Sequence, residues 1–341
     1  MCVLKLSERK IIMKIYRKAL ILALSIVLCA TAVMSLSGCG ESSAESSSRA
    51  ESNSAAATGD EAKAADELSD LGIDPGKAGV FPNVKHDQKN TVGFQLEQPK
   101  EGDTIAIIHT GLGDITLRFF PDQAPKAVTN FINLAKNGSY NKTSFHKVIP
   151  DFAIQGGHCG SADNNPSGTS SFGGMFEDEF CDSLLNLRGA VSMASTSKDS
   201  NGSQFLINQT SAEAFKNSGG WIALSKNWDD MKDQLKSYKD SNLLSAFFDE
   251  NGDKLLNTAA VPENVKKLYE QNGGNPLLDG AYNAADRGCT VFGQVISGMD
   301  VVDKIAASKT DKKNVPLERV QINSVEVTTY KVNGGATPAE K

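Results

Sequence analysis

The chain has 341 residues, 40% of them hydrophobic and 22% charged, which is enough to bury the core of one large or two modest domains and excludes a wholly disordered chain. Its net charge of -6 argues against a nucleic-acid partner, because releasing counterions from phosphates needs a basic face. The lysines beyond the N-terminus are interleaved with acids, as on an ordinary solvated surface.

Lys10, Lys14, Arg17 and Lys18 precede an apolar run from Ala19 to Leu36, followed by Leu36-Ser37-Gly38-Cys39. Basic, apolar and then small residues is the order of an export signal. The last four resemble a bacterial lipobox, which implies removal of residues 1–38, lipid on the Cys39 sulfur and a chain held at the outer face of the cytoplasmic membrane. The apolar run is also close to the roughly 20 residues that span a bilayer, so an uncleaved anchor is the alternative. Met13 would give a more compact basic region and is an alternative start to Met1. Gly40 to about Ala65 is Ser, Ala and Glu with almost no large apolar side chain, too little to offset the entropy of ordering. Residues 39–90 therefore read as a flexible tether followed by a loosely packed lead-in.

From Thr104 the pattern becomes that of a strand. Ile105 and Ile107, then Ile115, Leu117 and Phe119 after the Gly111 to Gly113 turn, alternate with more polar residues and predict a β-hairpin. Pro125 to Lys136 reads as a helix, with Pro125 in its first turn, Val128, Phe131, Ile132 and Ala135 on one face, and Gly138 beyond its end. Further strands are expected at Ser144 to Ile149, Ala153 to Gln155, Val191 to Ala194, Gln204 to Asn208, Thr290 to Ile296 and Val320 to Thr329. A second helix is expected at Gly298 to Ala307. Short strands with two helices suggest a closed, mainly β barrel. Between them, residues 211–276 read as a helical insert, with Asp229 to Phe248 and Pro262 to Gln271 at helical spacing. Trp221, Trp228, Phe247 and Phe248 are expected to form its own small core. Residues 331–341 read as a disordered tail.

Cys2 and Cys29 fall in the signal and Cys39 at the lipid site, leaving Cys159, Cys181 and Cys289. An odd number cannot all pair internally, so one disulfide with a thiol, or three reduced thiols, both fit. His158 beside Cys159 makes a poor chelate, and no CxxC pair is present, so neither metal nor cofactor is expected.

Two stretches carry the chemistry. Ser144 to Gly157 reads SFHKVIPDFAIQGG, and Val191 to Asn208 reads VSMASTSKDSNGSQFLIN. In this order they resemble the signatures of the cyclophilins, the peptidyl-prolyl cis/trans isomerases, and the resemblance covers about residues 92–330. It implies a closed eight-stranded antiparallel barrel capped by two helices, with the 211–276 insert inside a domain spanning 91–330. It also implies a monomer that acts on proline-containing unfolded or exported polypeptides. By position it assigns catalysis to Lys147, Phe152 and Gln155. Substrate contacts fall to His146, Ala194, Ser195, Gln204, Leu206, Leu277, Leu278, Cys289 and Phe292, with Phe205 or Leu206 walling the proline pocket. Three positions depart from the family pattern: Lys147 replaces an arginine, Leu277 a tryptophan and Cys289 a histidine. An arginine offers a planar fork of donors and lysine a compact ammonium, so reduced catalysis is expected. Arg188 and Arg287 are the candidates for supplying a fork from elsewhere.

Overall fold

The computed structural model describes residues 84–159, 168–238 and 244–332. The expected signal, Cys39, most of the expected tether, and all but the first two residues of the expected tail lie outside these. In chain order come β1 (Thr104–Thr110), β2 (Gly113–Phe119), α1 (Pro125–Lys136), β3 (Ser144–Phe145), β4 (Lys147–Ile149), β5 (Ala153–Gly156), β6 (Ala190–Met193) and β7 (Phe205–Asn208). They are followed by α2 (Ala212–Asn217), α3 (Gly220–Tyr238), α4 (Leu244–Asn251), α5 (Glu263–Asn272), β8 (Val291–Ser297), α6 (Met299–Ala306) and β9 (Val320–Thr329).

The strands hydrogen-bond in the order β3-β9-β1-β2-β8-β6-β7-β5-β4, every named pair antiparallel. Among the described residues this gives nine strands in a nearly closed barrel. The count exceeds the expected eight because the strand read from Ser144 to Ile149 is interrupted at His146. Its first half pairs with β9 and its second half with β5. The His146 backbone N–H donates to the Gln155 carbonyl at 3.0 Å, so the interruption is the seam at which the sheet meets itself.

The barrel is filled by the inward residue of each alternation. Ile108, Ile115, Leu117, Val148, Ile154, Val191, Phe205 and Ile207 all lie in one cluster. Helix α1 adds Val128, Phe131 and Leu134 to it, and α6 adds Val302 and Ile305. Phe131 is the hub of the aromatic packing, with ring centroids 5.0 Å from Tyr140, 5.4 Å from Phe205 and 5.5 Å from Phe292. Helices α1 and α6 start and stop within one residue of expectation, as strong apolar periodicity dictates in both and a Pro at the first turn in α1.

The end of the lead-in is docked. The Lys85 N–H donates to the Phe180 carbonyl at 2.9 Å, and the Asp87 carboxylate accepts from Ser183, Asn90 and Gln123. Gln95 is fully buried, holding Leu185 through both backbone groups and meeting Gln294.

The insert is helical, but divided differently from the sequence reading. The helix expected from Asp229 to Phe248 is two, α3 and α4, and α3 begins at Gly220. Six-residue α2 was not anticipated; the Ser211 hydroxyl caps it by accepting from the Ala214 N–H. The aromatics also divide. Trp228, Phe247 and Phe248 pack with Leu235 and Leu255, whereas Trp221 joins Phe215, Val265 and Tyr269 against Leu185 and Leu187 of the barrel side. Cys159, Cys181 and Cys289 are each unpaired in the structure, Cys159 and Cys181 buried and Cys289 partly so.

Candidate active site

Register across β4, β5, β7 and β6 sorts the signature residues onto two faces. Val148, Ile154, Ile207 and Val191 form one cross-strand row, and Lys147, Gln155, Leu206 and Ser192 form the next. Neighbouring rows point oppositely. The first row is completely buried inside the barrel, so the second leaves the sheet on its outer face.

On that outer face Ala153, Ala194 and Leu206 are buried against one another, with Phe152, Leu278 and Cys289 packed around them. Four expected substrate-contact residues and Phe152, expected to be catalytic, thus converge from five separate segments into one apolar cluster. The Phe152 turn is fixed by its backbone: its N–H donates to the Ile149 carbonyl at 3.2 Å, and its carbonyl accepts from the Gln209 N–H at 2.8 Å. The Ala194 N–H donates to the Gln204 carbonyl at 3.0 Å. Ser195 is half-buried, its backbone N–H against the Cys289 sulfur. Burial pushes the Cys289 thiol far up, so it packs as a neutral, apolar wall.

The polar side of the site is a relay. Gln155 Nε2 donates to Gln204 Oε1 at 2.8 Å, and Gln204 Nε2 meets His158 Nδ1 at 2.9 Å. Gln155 is therefore aimed by a second glutamine and a histidine rather than by its own rotamer. The His146 ring lies behind this relay, 6.0 Å from that of His158 and inclined 65° to it. Burial, followed by the nearby His158 and Lys147 charges, pushes the His146 imidazole down to about 4, so it is neutral at pH 7. Its Nδ1 is buried with no hydrogen-bond partner among the described residues.

Two assignments are corrected. Phe292 is fully buried in the barrel core, packed on Phe119 and Phe131. It supports the sheet from behind and cannot line an outer-face pocket. Leu277 packs with Val265, Leu268 and Tyr269 on the insert side, while its neighbour Leu278 turns to the site; adjacent residues of a 3-10 turn (Pro276–Leu278) project in different directions. Of the pair Phe205 and Leu206, only Leu206 faces outward. Neither arginine supplies a fork to this cluster. Arg188 Nη2 donates to both carboxylate oxygens of Asp303 at 2.8 and 2.7 Å while its Nη1 donates to the Gln209 carbonyl, and Arg287 sits over Gly252 beside Asp253.

The sequence reading missed Ala153, which sits two residues before Gln155 and so shares its face, and it missed Asn186, Asp279 and Tyr269. Asp279 is buried and accepts from the Asn186 N–H at 2.7 Å, from Asn186 Nδ2 at 3.0 Å and from the Tyr269 hydroxyl.

The family model for cyclophilin-type peptidyl-prolyl cis-trans isomerases matches residues 105–223 and 270–327. The chain belongs to the cyclophilin family. A Staphylococcus saprophyticus protein, named by inference a peptidyl-prolyl cis-trans isomerase, is 35% identical over 234 residues, 68% of this chain and 96% of its own length. A Staphylococcus aureus protein of the same name is 35% identical over 231 residues, 68% of this chain and 95% of its own. A Cryptosporidium parvum cyclophilin-type isomerase, crystallised in the presence of the dipeptide Ala-Pro, covers 66% of this chain and 99% of its own at 23% identity, with a TM-score of 0.42. The cyclophilin match skips residues 224–269, so most of the helical insert, Tyr269 included, lies outside the part the family model describes.

Proposed function

We propose that this cyclophilin isomerises X-Pro peptide bonds in exported proteins, held at the outer face of the cytoplasmic membrane by lipid on Cys39. The observation that carries the isomerase reading is one patch on the barrel's outer face. There the apolar cluster of Phe152, Ala194, Leu206 and Leu278 adjoins the polar row of Lys147 and Gln155.

The chemistry asks for no more than these. Rotation about a peptide C–N bond is opposed by about 18–20 kcal/mol of resonance, and X-Pro exchange takes tens of seconds or longer unaided. Twisting the bond localises a lone pair on the imide nitrogen and changes the polarity of the carbonyl. Groups that hold the proline ring in an apolar wall and aim donors at the twisted amide bind the transition state better than either isomer. Phe152, Leu206 and Leu278 supply the wall. The Lys147 ammonium and the Gln155 amide supply the polar contacts, with Gln204 and His158 fixing the amide. The neutral His146 behind them leaves Lys147 as the cation of this row.

The test is the cis-to-trans rate of a proline tetrapeptide with the purified full chain, beside Phe152→Ala. Acceleration well above background that Phe152→Ala removes supports an isomerase at this patch; an inert parent that does not bind the peptide overturns it. Lys147 itself favours a second reading, a proline-segment binder that turns over slowly. That reading holds if the parent binds the peptide, is inert, and gains activity as Lys147→Arg. Anchoring rests on the Leu36-Ser37-Gly38-Cys39 sequence. Labelled fatty acid is expected in the parent and absent from Cys39→Ala, and equal labelling would overturn the lipid assignment.

A further inference from the structure

We infer that the helical insert is a strut for the proline-pocket wall, and that Tyr269 of α5 is the positioning residue through which it acts. The inference rests on the isomerase reading for its consequence but not for its geometry. Leu278 and Cys289 form one side of the apolar cluster and are tied to each other, the Cys289 N–H donating to the Leu278 carbonyl at 2.8 Å. The same carbonyl accepts from Asn186 Nδ2 at 2.9 Å, and the Cys289 carbonyl lies 3.4 Å from that nitrogen. Asn186 is in turn held on both sides. Its Oδ1 accepts from the Ser192 hydroxyl at 2.7 Å and from Asn208 Nδ2 at 3.1 Å, on β6 and β7. Its N–H and Nδ2 donate to Oδ1 of Asp279.

That leaves Oδ2 of Asp279, whose donor is the Tyr269 hydroxyl. Tyr269, Asn186, Ser192, Asn208 and Asp279 are all nearly or fully buried. Bulk solvent does not reach these groups, so a lost partner is not replaced from the surface. Burial, partly offset by the hydrogen bonds from Tyr269 and Asn186, leaves the Asp279 carboxyl raised to about 7. The phenol is thus the side-chain donor by which α5 joins a buried polar network running under the wall, beside the Asn275 N–H, which donates to the Asn186 carbonyl at 2.8 Å. The rest of the Tyr269 ring is clamped by Phe215 and Trp221 at centroid distances of 6.1 and 5.8 Å, and Leu277 packs into the same cluster beside the strut. Losing the hydroxyl leaves Oδ2 without a donor one residue from Leu278. The carboxylate must then shift, and it carries with it the backbone that sets the Leu278 side chain.

The test uses the full chain as parent, Tyr269→Phe, and Trp228→Phe as a control in the other insert cluster. Three quantities are read: alkylation rate at Cys289, followed by mass spectrometry of its peptide; the Kd of a proline peptide; and the melting temperature. Tyr269→Phe is expected to speed Cys289 alkylation and weaken the peptide Kd at least threefold, measured well below its melting temperature. Trp228→Phe is expected to lower the melting temperature with neither change. Equal alkylation in parent and Tyr269→Phe overturns the strut, as does equal acceleration in both variants, which would mean general loosening of the insert. If the parent binds no proline peptide, the isomerase reading fails, while the alkylation comparison still decides whether Tyr269 holds the wall.

Discussion

Lys147 and Gln155 stand directly opposite each other across β4 and β5, so an ammonium and a carboxamide leave the sheet on the same face within cross-strand reach. Gln155 is then locked by Gln204 at 2.8 Å. The amide brings a fixed donor to the patch, and the lysine brings a compact ammonium on a four-carbon stem where an arginine would bring a planar fork.

That asymmetry predicts the effect of restoring a fork. Lys147→Arg is expected to raise kcat/KM for a proline tetrapeptide by one to three decades, equivalent to about 1.4–4 kcal/mol of transition-state stabilisation. The peptide Kd should change much less, since the donors act on the twisted amide. An Arg variant no faster than the parent would show that the ammonium already suffices.

Phe152 is expected to behave in the opposite way. Its ring packs with Ala153, Ala194 and Leu206, and removing an aromatic of this kind forfeits about 1.5–3 kcal/mol of apolar contact. Phe152→Ala should therefore weaken proline-peptide binding about tenfold to a hundredfold, read by titration. Its half-buried position, outside the main barrel cluster, should keep the melting temperature close to the parent's. A large loss of stability with unchanged affinity would reassign Phe152 to the core.

The aim of Gln155 depends on its partner. Gln204→Ala removes the acceptor of the Gln155 amide and the link to His158. It is expected to lower kcat/KM about tenfold, of the order of one well-placed hydrogen bond to a reacting group. Unchanged catalysis in Gln204→Ala would mean that Gln155 needs no support.

The period-two alternation made much of this legible in advance. Once Gln155 and Leu206 are placed on strands, their outward row follows from the inward row of Ile154 and Ile207. The barrel helices were legible too, because α1 and α6 are amphipathic and bounded by Pro125, Gly138 and Gly298. Phe292 was misread because its neighbours Val291 and Gly293 are buried as well; a strand buried on both faces shows no alternation to sort it by. Leu277 and Leu278 are the same residue in sequence and separate only because a 3-10 turn splits them between two clusters. Asp279 and Tyr269 could not be paired from sequence at all, since the contact is set by how α5 packs.

Gly157 tests the close approach behind the site. Its φ of 78° is left-handed, and a Cβ there would sit 2.7 Å from the Phe205 ring and 2.9 Å from the Ser203 carbonyl oxygen. Backbone strain of about 1–2 kcal/mol adds to an overpacking term of about 1–3 kcal/mol. Gly157→Ala is thus expected to destabilise by about 2–5 kcal/mol in urea unfolding. A change below about 0.5 kcal/mol would show that the ring moves aside freely.

His146 should make the protein acid-sensitive. Burial first, then the His158 and Lys147 charges, lower its pKa to about 4, against about 6.5 in an unfolded chain. Between these values the unfolded state binds the proton and the folded state does not, so stability rises with pH. The contribution is fully present above about pH 6.5, falls away as the pH drops, and is exhausted below about pH 4. At 1.36 kcal/mol per unit it is on the order of 3 kcal/mol. Urea unfolding of the parent and of His146→Gln from pH 4 to 7.5 isolates it, because the other titrating groups cancel in the difference. The parent is expected to lose stability more steeply than the variant on acidification. Parallel curves would mean that the imidazole stays accessible to protons in the folded barrel.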